Sequence, residues 1–457
     1  MNFINRLLTQ LLGKELDAKI KDYFISGAYK SILLQGGISL LTFCTALFIA
    51  RITGDEGFGV YTIVFTWISI ISVGATLGLD DLALKQLPIY QEQGASSKIK
   101  GLLYWMNGLG LVFGGLCAVI LLVLAHGLTI NGLSEHASYY TWAVWVIPLF
   151  VLMHVNQAAL RGLGFLGWGQ FAEKFVQPLA FFFCLVLIYW WQSFAMTDEE
   201  AIIARTLSFL ITTGTALFLL LKYTQTYRAT EQITYESAHW WKLCPYFAIT
   251  SLLYIVNTRV DIIFLALYQI PDSQVGYYNA ALKLSDIALI PFAVLYTVTA
   301  PMFSKLYASK KMNELQLFFT KTTRIACMVI SLMLLVFVIG GEYLLALFGE
   351  NFREGYPVLL VLCLTKFIHV FVGPVNYLLM MVDLEKEAMW ALFVSVLVTI
   401  VLHNYWIPNY GIIGAAYATL AGLVIFEIIV SWIAYKKGGI APTILGSFLS
   451  KKLNSSK

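Results

Sequence analysis

Residues 101–125 read GLLYWMNGLGLVFGGLCAVILLVLA, a stretch without a single charged side chain. A helix needs about 20 mostly apolar residues to cross the hydrocarbon core of a bilayer, so this stretch predicts a membrane-spanning helix. The whole chain of 457 residues has the same character, with 59% apolar and 12% charged residues. Since soluble domains carry roughly 25% charged residues, the composition favours a polytopic membrane protein.

Eleven more apolar runs resemble this one, and short breaks with turn or charge signals, such as 53–57 and 383–386, separate them. The pattern predicts an all-α protein of about twelve transmembrane helices. The predicted spans are 31–50, 58–79, 101–125, 139–160, 171–191, 201–221, 245–268, 276–303, 325–348, 357–382, 388–407 and 411–434.

The distribution of Lys and Arg predicts the orientation of these spans. If the N-terminus is cytoplasmic, 24 of the 30 Lys and Arg residues lie in inner segments, and only Arg51 and Arg353 lie in outer loops. Cytoplasmic loops carry an excess of basic residues, and one miscounted span would invert every later loop. We therefore expect both termini to be cytoplasmic.

The two ends of the chain are more polar than the runs between them. Segment 1–30 has apolar residues at helical spacing beside lysines, which predicts an amphipathic helix on the inner membrane surface and no cleavable signal peptide. Segment 436–457 reads as a basic cytoplasmic tail. Six scattered cysteines without a CxxC pair suggest neither a disulfide framework nor a metal site.

The chain contains an internal repeat. FGVY at 58–61 and VGYY at 275–278 lie 217 residues apart, and QAAL at 157–160 and NYLL at 376–379 lie 219 residues apart. The similar offsets predict an N-lobe at 31–238 and a C-lobe at 239–435, each of six spans. An even number of spans in each half makes the repeats parallel, an arrangement found in secondary transporters.

Five segments resemble the polysaccharide transporter family, the Wzx-type oligosaccharide flippases. This family belongs to a superfamily that also contains MATE exporters and lipid II flippases. The segments are ARITGDEGFGVY at 50–61, QAALRGLG at 157–164, GYYNAALKL at 276–284, LFGENF at 347–352 and NYWIPNYGIIGAAYAT at 404–419. The chain lacks the further C-terminal span pair of lipid II flippases and the acidic residue that many MATE exporters have in span one.

The resemblance implies a V-shaped, alternating-access transporter fold. It implies a flippase of the bacterial inner membrane that moves undecaprenyl-pyrophosphate-linked oligosaccharide to the outer leaflet for surface polysaccharide assembly. The implied partners are the lipid-linked oligosaccharide, membrane lipids and a polysaccharide polymerase or other assembly proteins, with no nucleic acid, no metal and no cofactor. The motifs themselves also have a structural interpretation, because their glycines permit tight turns and close helix packing.

Ionisable residues within the predicted spans are the candidate functional groups. A charge at the bilayer centre costs roughly 2.5–3.5 kcal/mol on insertion scales, so such groups must face one another or a wet cavity. An Arg259–Asp286 or Asp261–Lys283 pair is one interpretation, and a partly cationic cavity for a pyrophosphate is the other. The candidates among the in-span charges are Arg205, Arg259, Asp261, Lys283, Asp286, Lys366 and Glu427.

Roles can be suggested for most of these residues. Arg259, Lys283 and Lys366 are candidate substrate-binding cations, and Arg161 lies at the predicted inner mouth. Asp286 and Glu427 are candidates for a protonation or cation site, and Asp261 for structural pairing. The groups that could bind sugar hydroxyls, or simply bond between helices, are His154, Asn156, Gln157 and His369.

Other functions stay open on sequence alone. A cation-coupled exporter of small amphiphiles would have the same fold. A membrane polymerase or ligase acting on lipid-linked sugars usually needs a large outer loop, and all the predicted outer loops are short, so the sequence predicts a transporter and no enzyme. A structural role in a synthesis complex is a further alternative. Nucleotide-binding fingerprints are absent from the sequence, which argues against ATP as the direct driver.

Overall fold

The computed structural model describes residues 18–127, 136–194, 196–228, 233–382, 384–444 and 446. Most of the predicted amphipathic helix at 1–30, the outer loop at 128–135 and the end of the predicted tail lie outside this part of the chain. The described residues form helices and connecting turns, as the sequence predicts, and they divide into two compact units. The boundaries fall inside two helices, at Cys44 and at Gly276.

We call residues Cys44–Gly276 the N-terminal unit. Its central helix is α5, which packs against α2, α3 and α8. A π-helical turn, Ala172–Val176, joins α6 to α7. The helices of this unit are α1 (Ala18–Ala75, from residue 44 onward), α2 (Leu79–Glu92), α3 (Ser96–Gly127), α4 (Ala137–Ala143), α5 (Val146–Gly162), α6 (Leu166–Phe171), α7 (Gln177–Trp191), α8 (Asp198–Tyr223), α9 (Gln225–Arg228) and α10 (Ser237–Leu267).

The C-terminal unit comprises 277–457 together with residues up to Phe43. Its core lies where α12, α13, α15 and α16 meet, and Phe303, Phe319 and Val430 are fully buried there. A 3₁₀ turn, Glu350–Gly355, precedes α14. The helices are α11 (Asp272–Ile287, which begins in the N-terminal unit), α12 (Ile290–Ala308), α13 (Met312–Ala346), α14 (Tyr356–Val372), α15 (Val375–Met381) and α16 (Glu385–Lys436).

Nine helical segments of the described chain are long and apolar enough to cross a membrane. Two of them, Gly36–Glu92 and Lys386–Lys436, are long enough for two passes and each contains a glycine outside helical geometry. Predicted span eight, 276–303, lies across the break between α11 and α12 and is not among the nine. Counting both halves of the two long segments, and span eight, recovers the predicted twelve.

The glycines of the first and last motifs have different roles. Gly54 has φ 74° and Gly411 has φ 56°, values that glycine adopts without strain, and each interrupts its long helix as expected. Gly59 instead lies within α1, where a Cβ atom would overlap the carbonyl oxygen of Asp272. A Cβ on Gly276 would lie 2.5 Å from the carbonyl oxygen of Asp55 and 3.4 Å from the nitrogen of Gly59. The two repeated motifs therefore meet backbone to backbone.

The unit boundaries differ from the predicted lobes 31–238 and 239–435. Predicted span seven, α10, belongs to the N-terminal unit, because its first turn is bound to α2 and α3. The predicted six-span lobes stay a prediction. Residues after α16 also depart from a simple tail, since Ile440 is fully buried and Gln316 forms two hydrogen bonds with the backbone of Ala441, at 2.7 and 2.9 Å.

Candidate functional site

Arg205 lies on α8 with three aromatic rings around its guanidinium group. Its Cζ atom is 4.5 Å from the centre of the Phe181 ring, 5.1 Å from that of Phe209 and 6.0 Å from that of Phe65. The Gln177 amide, turned to present its oxygen, accepts hydrogen bonds from Nη1 at 2.6 Å and Nη2 at 3.2 Å. The Nε atom of Arg205 is buried without a hydrogen-bond partner among the described residues. Rings and a neutral amide therefore hold this cation.

Tyr61 of α1 and Arg259 of α10 extend this group. The Tyr61 ring lies nearly parallel to that of Phe181, with centres 6.3 Å apart, and 4.7 Å from that of Phe65. Arg205 and Arg259 are within electrostatic reach of one another. We call Tyr61, Phe65, Phe181, Arg205, Phe209 and Arg259 the arginine–aromatic cluster. Within the described N-terminal unit, no carboxylate lies within ion-pair distance of either arginine.

The depth of the two arginines is similar. Arg205 lies about two turns from the start of α8, and Arg259 about two turns from the end of α10, both ends being on the predicted outer side. Sequence analysis placed Arg205 among the in-span charges but gave it no role in the site. The sequence feature that marks Arg205 as unusual is that no other charged residue occurs between Glu200 and Lys222. Phe209, four residues on along the same helix, has a spacing that sequence can identify, but Phe65 and Phe181 come from two other helices, α1 and α7.

Asp261 lies two residues after Arg259 and is buried, with 5% of its surface exposed. Its Oδ1 atom accepts a hydrogen bond from the backbone nitrogen of Ile262 at 2.8 Å. Lys283 is half-buried on α11. The suggested Arg259–Asp286 and Asp261–Lys283 pairs join residues of different units and stay predictions.

The candidate polar groups on α5 make their described contacts largely with other residues of the N-terminal unit. The amide of Gln157, in the orientation that matches its neighbours, donates to the carbonyl oxygen of Gly169 and to the carboxylate of Glu173, each at 3.1 Å. His154 is half-buried and stacks on Phe150, with ring centres 4.0 Å apart. Gln157 thus holds α5 to the π-helical turn, which favours a structural role over a sugar contact.

Arg161, at the predicted inner end of α5, retains the features of a binding group. Its Nε atom is buried and lacks a hydrogen-bond partner among the described residues. The main chain of Gly169 packs against its side chain, and Asp81 lies within electrostatic reach. Asn156, one turn earlier, is almost completely buried, and its Oδ1 atom also lacks a described partner.

An ion pair and a histidine–carboxylate hydrogen bond lie on one face of α14 in the C-terminal unit. The Nζ atom of Lys366 is 2.7 Å from Oδ1 of Asp286 on α11. Three residues along α14, Nδ1 of His369 is 2.7 Å from Oε1 of Glu427 on α16. Lys366, a candidate substrate-binding cation, has no acidic residue near it in sequence, and α11 supplies its partner in the structure.

A further polar cluster joins the start of α10 to α2 and α3. Glu236 binds Lys98 Nζ at 2.6 Å and accepts a hydrogen bond from the Tyr90 hydroxyl at 2.6 Å. The Trp240 indole, fully buried, donates to the same hydroxyl at 2.9 Å. The hydrogen bonds from Lys98 and Tyr90 hold the pKa of Glu236 below its ordinary value. This cluster explains why α10 packs with the N-terminal unit.

The architecture of the described residues is that of a multi-pass α-helical membrane protein. Solved structures share the fold at low sequence identity. An inward-facing MATE-family multidrug resistance transporter of the MOP superfamily has a TM-score of 0.68 at 13% identity, covering 89% of this chain and 99% of that one. The lipid II flippase MurJ, in an inward closed conformation, has a TM-score of 0.68 at 13% identity, covering 89% and 88%.

The sequence identifies the family more closely. A family model described as "Polysaccharide biosynthesis protein" matches residues 25–307, and the chain belongs to this family. A probable flippase of Haloferax volcanii, AglR, is 27% identical over 174 residues, which cover 37% of this chain. The match spans 36% of the length of that relative. The predicted fold class and family are thereby confirmed.

Proposed function

We propose that this protein is a flippase that moves a lipid-linked oligosaccharide from the cytoplasmic to the outer leaflet of a bacterial inner membrane. The carrier is undecaprenyl pyrophosphate, and the product feeds surface polysaccharide assembly. The partners are the lipid-linked oligosaccharide, membrane lipids and the polymerase or assembly proteins that receive it. The family and its probable flippase relative support this proposal.

The arginine–aromatic cluster is the observation that carries the proposal. A guanidinium group binds phosphate oxygens through two parallel hydrogen bonds, and charge-assisted hydrogen bonds are roughly twice as strong as neutral ones. Two arginines that have no acid at ion-pair distance among the described residues of their unit leave a net positive region among apolar helices. A pyrophosphate is the complementary ligand. The aromatic rings around Arg205 hold the guanidinium in place by cation–π contacts, worth about 2 kcal/mol when desolvated.

Transport needs no bond-breaking step. The lipid tail remains in the bilayer while the polar head crosses between two lobes that open alternately to the inner and outer sides. With both termini in the cytoplasm, Arg161 lies where the head enters, and Arg205 and Arg259 lie on the outer half of the path. Buried cations lower the free energy of the charged head in transit, which is the role of a transporter and not of an enzyme.

Purified protein in lipid vesicles, with a fluorescent undecaprenyl-pyrophosphate oligosaccharide, tests the proposal. We expect the wild-type protein to equilibrate the lipid between leaflets. Arg205→Gln should slow transfer at least about tenfold, because roughly 1.4 kcal/mol of stabilisation corresponds to that factor, and Arg205→Lys should retain part of the rate. Lys222→Gln, on the exposed inner end of the same helix, is the matched control.

The exporter alternative is resolved in the same vesicles. A fluorescent organic cation replaces the lipid, with an imposed proton or sodium gradient as the driving force. Accumulation of the cation, together with no transfer of the lipid-linked sugar by folded wild-type protein, would overturn the flippase proposal. Equal transfer by wild-type and Arg205→Gln proteins would remove the arginine–aromatic cluster from the mechanism.

A further inference from the structure

Glu427 is a buried carboxylate in the middle of an apolar helix. Its side chain is 4% exposed, and within the described residues its hydrogen-bond partner is Nδ1 of His369, at 2.7 Å. The α16 sequence on either side, residues 420–434, contains no other charged residue. A buried carboxylate without a compensating charge is strongly disfavoured, so the proton content of this pair decides its stability.

The two members of the pair differ in access. His369 is 31% exposed and turns its Nδ1 atom to Glu427, and the Phe292 ring packs edge-on against the imidazole at 5.1 Å. An imidazole can accept a proton at one nitrogen while it releases one from the other. The geometry is therefore that of a relay from an accessible side to a buried carboxylate.

The surrounding charges are balanced. Lys366, one turn before His369 on α14, is paired with Asp286 of α11. Helix α13 packs against α14 as well. Its charged residues lie towards its two ends, at Glu314, Lys321, Arg324 and Glu342. Further titratable groups on the helices around the pair include Lys283 on α11, Tyr307 on α12, Cys327 on α13, Cys363 on α14, and His403 and Tyr417 on α16.

We propose that His369 and Glu427 form a proton-binding site in the C-terminal unit, with His369 as the relay and Glu427 as the acceptor. A proton from water binds Nε2 of a neutral ring, and the Nδ1 proton passes to Oε1 of Glu427. The ring ends neutral with its proton on Nε2, the carboxyl is protonated, and the pair changes from a charge of −1 to zero. No other reactant is needed.

Protonation also changes the contact between two helices. Before it, a carboxylate accepts a charge-assisted hydrogen bond that joins α16 to α14; after it, the bond is between neutral groups and roughly half as strong. Proton binding therefore loosens α14 from α16. This change supplies a means of coupling a proton gradient to transport, and that role rests on the proposed function, whereas proton binding itself does not.

Infrared difference spectra of the purified protein between high and low pH test the site directly. We expect a protonated-carboxyl stretching band in the wild-type protein and in Glu387→Gln, a control on the same helix, and no such band in Glu427→Gln. After a rapid pH jump, the band should appear at least about tenfold more slowly in His369→Gln than in the wild-type protein. A band that persists in Glu427→Gln, or is absent from the wild type, would overturn the site; an unchanged rate in His369→Gln would overturn the relay.

Lipid transfer in vesicles with an imposed pH gradient tests the coupling. The gradient should change the transfer rate of wild-type protein and of Glu387→Gln, and leave Glu427→Gln unaffected. Equal sensitivity of Glu427→Gln would refute coupling through this pair. Absence of any transfer by folded wild-type protein would count against the proposed function alone, because the infrared experiment still decides whether the site binds a proton.

Discussion

Lys366 has no acidic residue on its own helix, α14, and its partner Asp286 is 80 positions away in the chain. Pairs three or four residues apart on one helix can be identified from sequence, because the helix fixes their distance. A pair between helices depends on rotation and depth, which the pattern of apolar residues leaves open. Asp286 was therefore identified as an in-span charge, but its contact with Lys366 was not predicted.

A double-mutant cycle measures the Lys366–Asp286 pair. Lys366→Met and Asp286→Asn should each destabilise the protein, because each leaves one charge of the pair without its partner. The double variant should be more stable than the sum of the two single losses in unfolding free energy predicts. The expected coupling energy is about 1 kcal/mol, since Asp286 is half exposed. Thermal unfolding in detergent provides the measurement. Strict additivity would show that the pair contributes nothing.

Glu236 should make stability depend on pH. Because its pKa is lowered in the folded state, its contribution is present above its ordinary pKa and is lost as the pH falls through the folded value. Wild-type protein should therefore lose up to about 1 kcal/mol between pH 6 and pH 3.5 that Glu236→Gln does not lose, the side chain being 31% exposed. Unfolding in detergent at several pH values is the measurement, with Glu314→Gln as an exposed control. Parallel curves for wild type and Glu236→Gln would contradict the assignment.

At the scale of helices, the crossing of α1 and α11 depends on glycine. The first motif contains three glycines, Gly54, Gly57 and Gly59, and its sequence is compatible both with a tight turn and with close packing. Only Gly54 has a positive φ, while Gly57 and Gly59 lie within helix α1 and allow the side chain of Asp198 and the backbone of Asp272 to approach. A glycine needed for a turn and a glycine needed for close packing look alike in sequence, since both lack a Cβ atom.

Gly59→Ala tests the crossing. The added methyl group meets the backbone carbonyl of Asp272, which cannot rotate away, so we expect a loss of about 2 kcal/mol in unfolding free energy. Gly108→Ala on α3 is the control, because its Cβ atom would enter open space in a regular helix and should be neutral or stabilising by up to about 1 kcal/mol. The same melting temperature for both variants would show that the helices separate at little cost.

At the scale of the molecule, most of the fold follows from hydrophobic runs. The lengths of the runs determine where helices lie, and the glycine and proline signals between them mark the breaks. What the runs cannot show is which helices pack together, because apolar faces are nearly interchangeable in a membrane. The position of α10 is an example: it is fixed by Glu236 at its inner end, which contacts Tyr90 of α2 and Lys98 of α3.

Reporter fusions test the orientation of the whole chain. With twelve spans and basic residues concentrated on the cytoplasmic side, a fusion at Lys457 should report the cytoplasm and an insertion in the 128–135 loop the outer side. An insertion after Gln93, between α2 and α3, is a control that should report the cytoplasm. The same side for Lys457 and the 128–135 loop would exclude this topology.

The contact between Gly59 and Gly276 bears on the ancestry of the chain. The two glycines occupy equivalent positions in motifs 217 residues apart, and each lies against the backbone of the other's helix. Contact between equivalent positions is what a two-fold interface places at its axis, where a residue meets its own copy. A gene duplication that fused two such subunits would have preserved the contact inside one chain. Among descendants, these two positions would then evolve together, with a larger residue at one accepted only beside a glycine at the other.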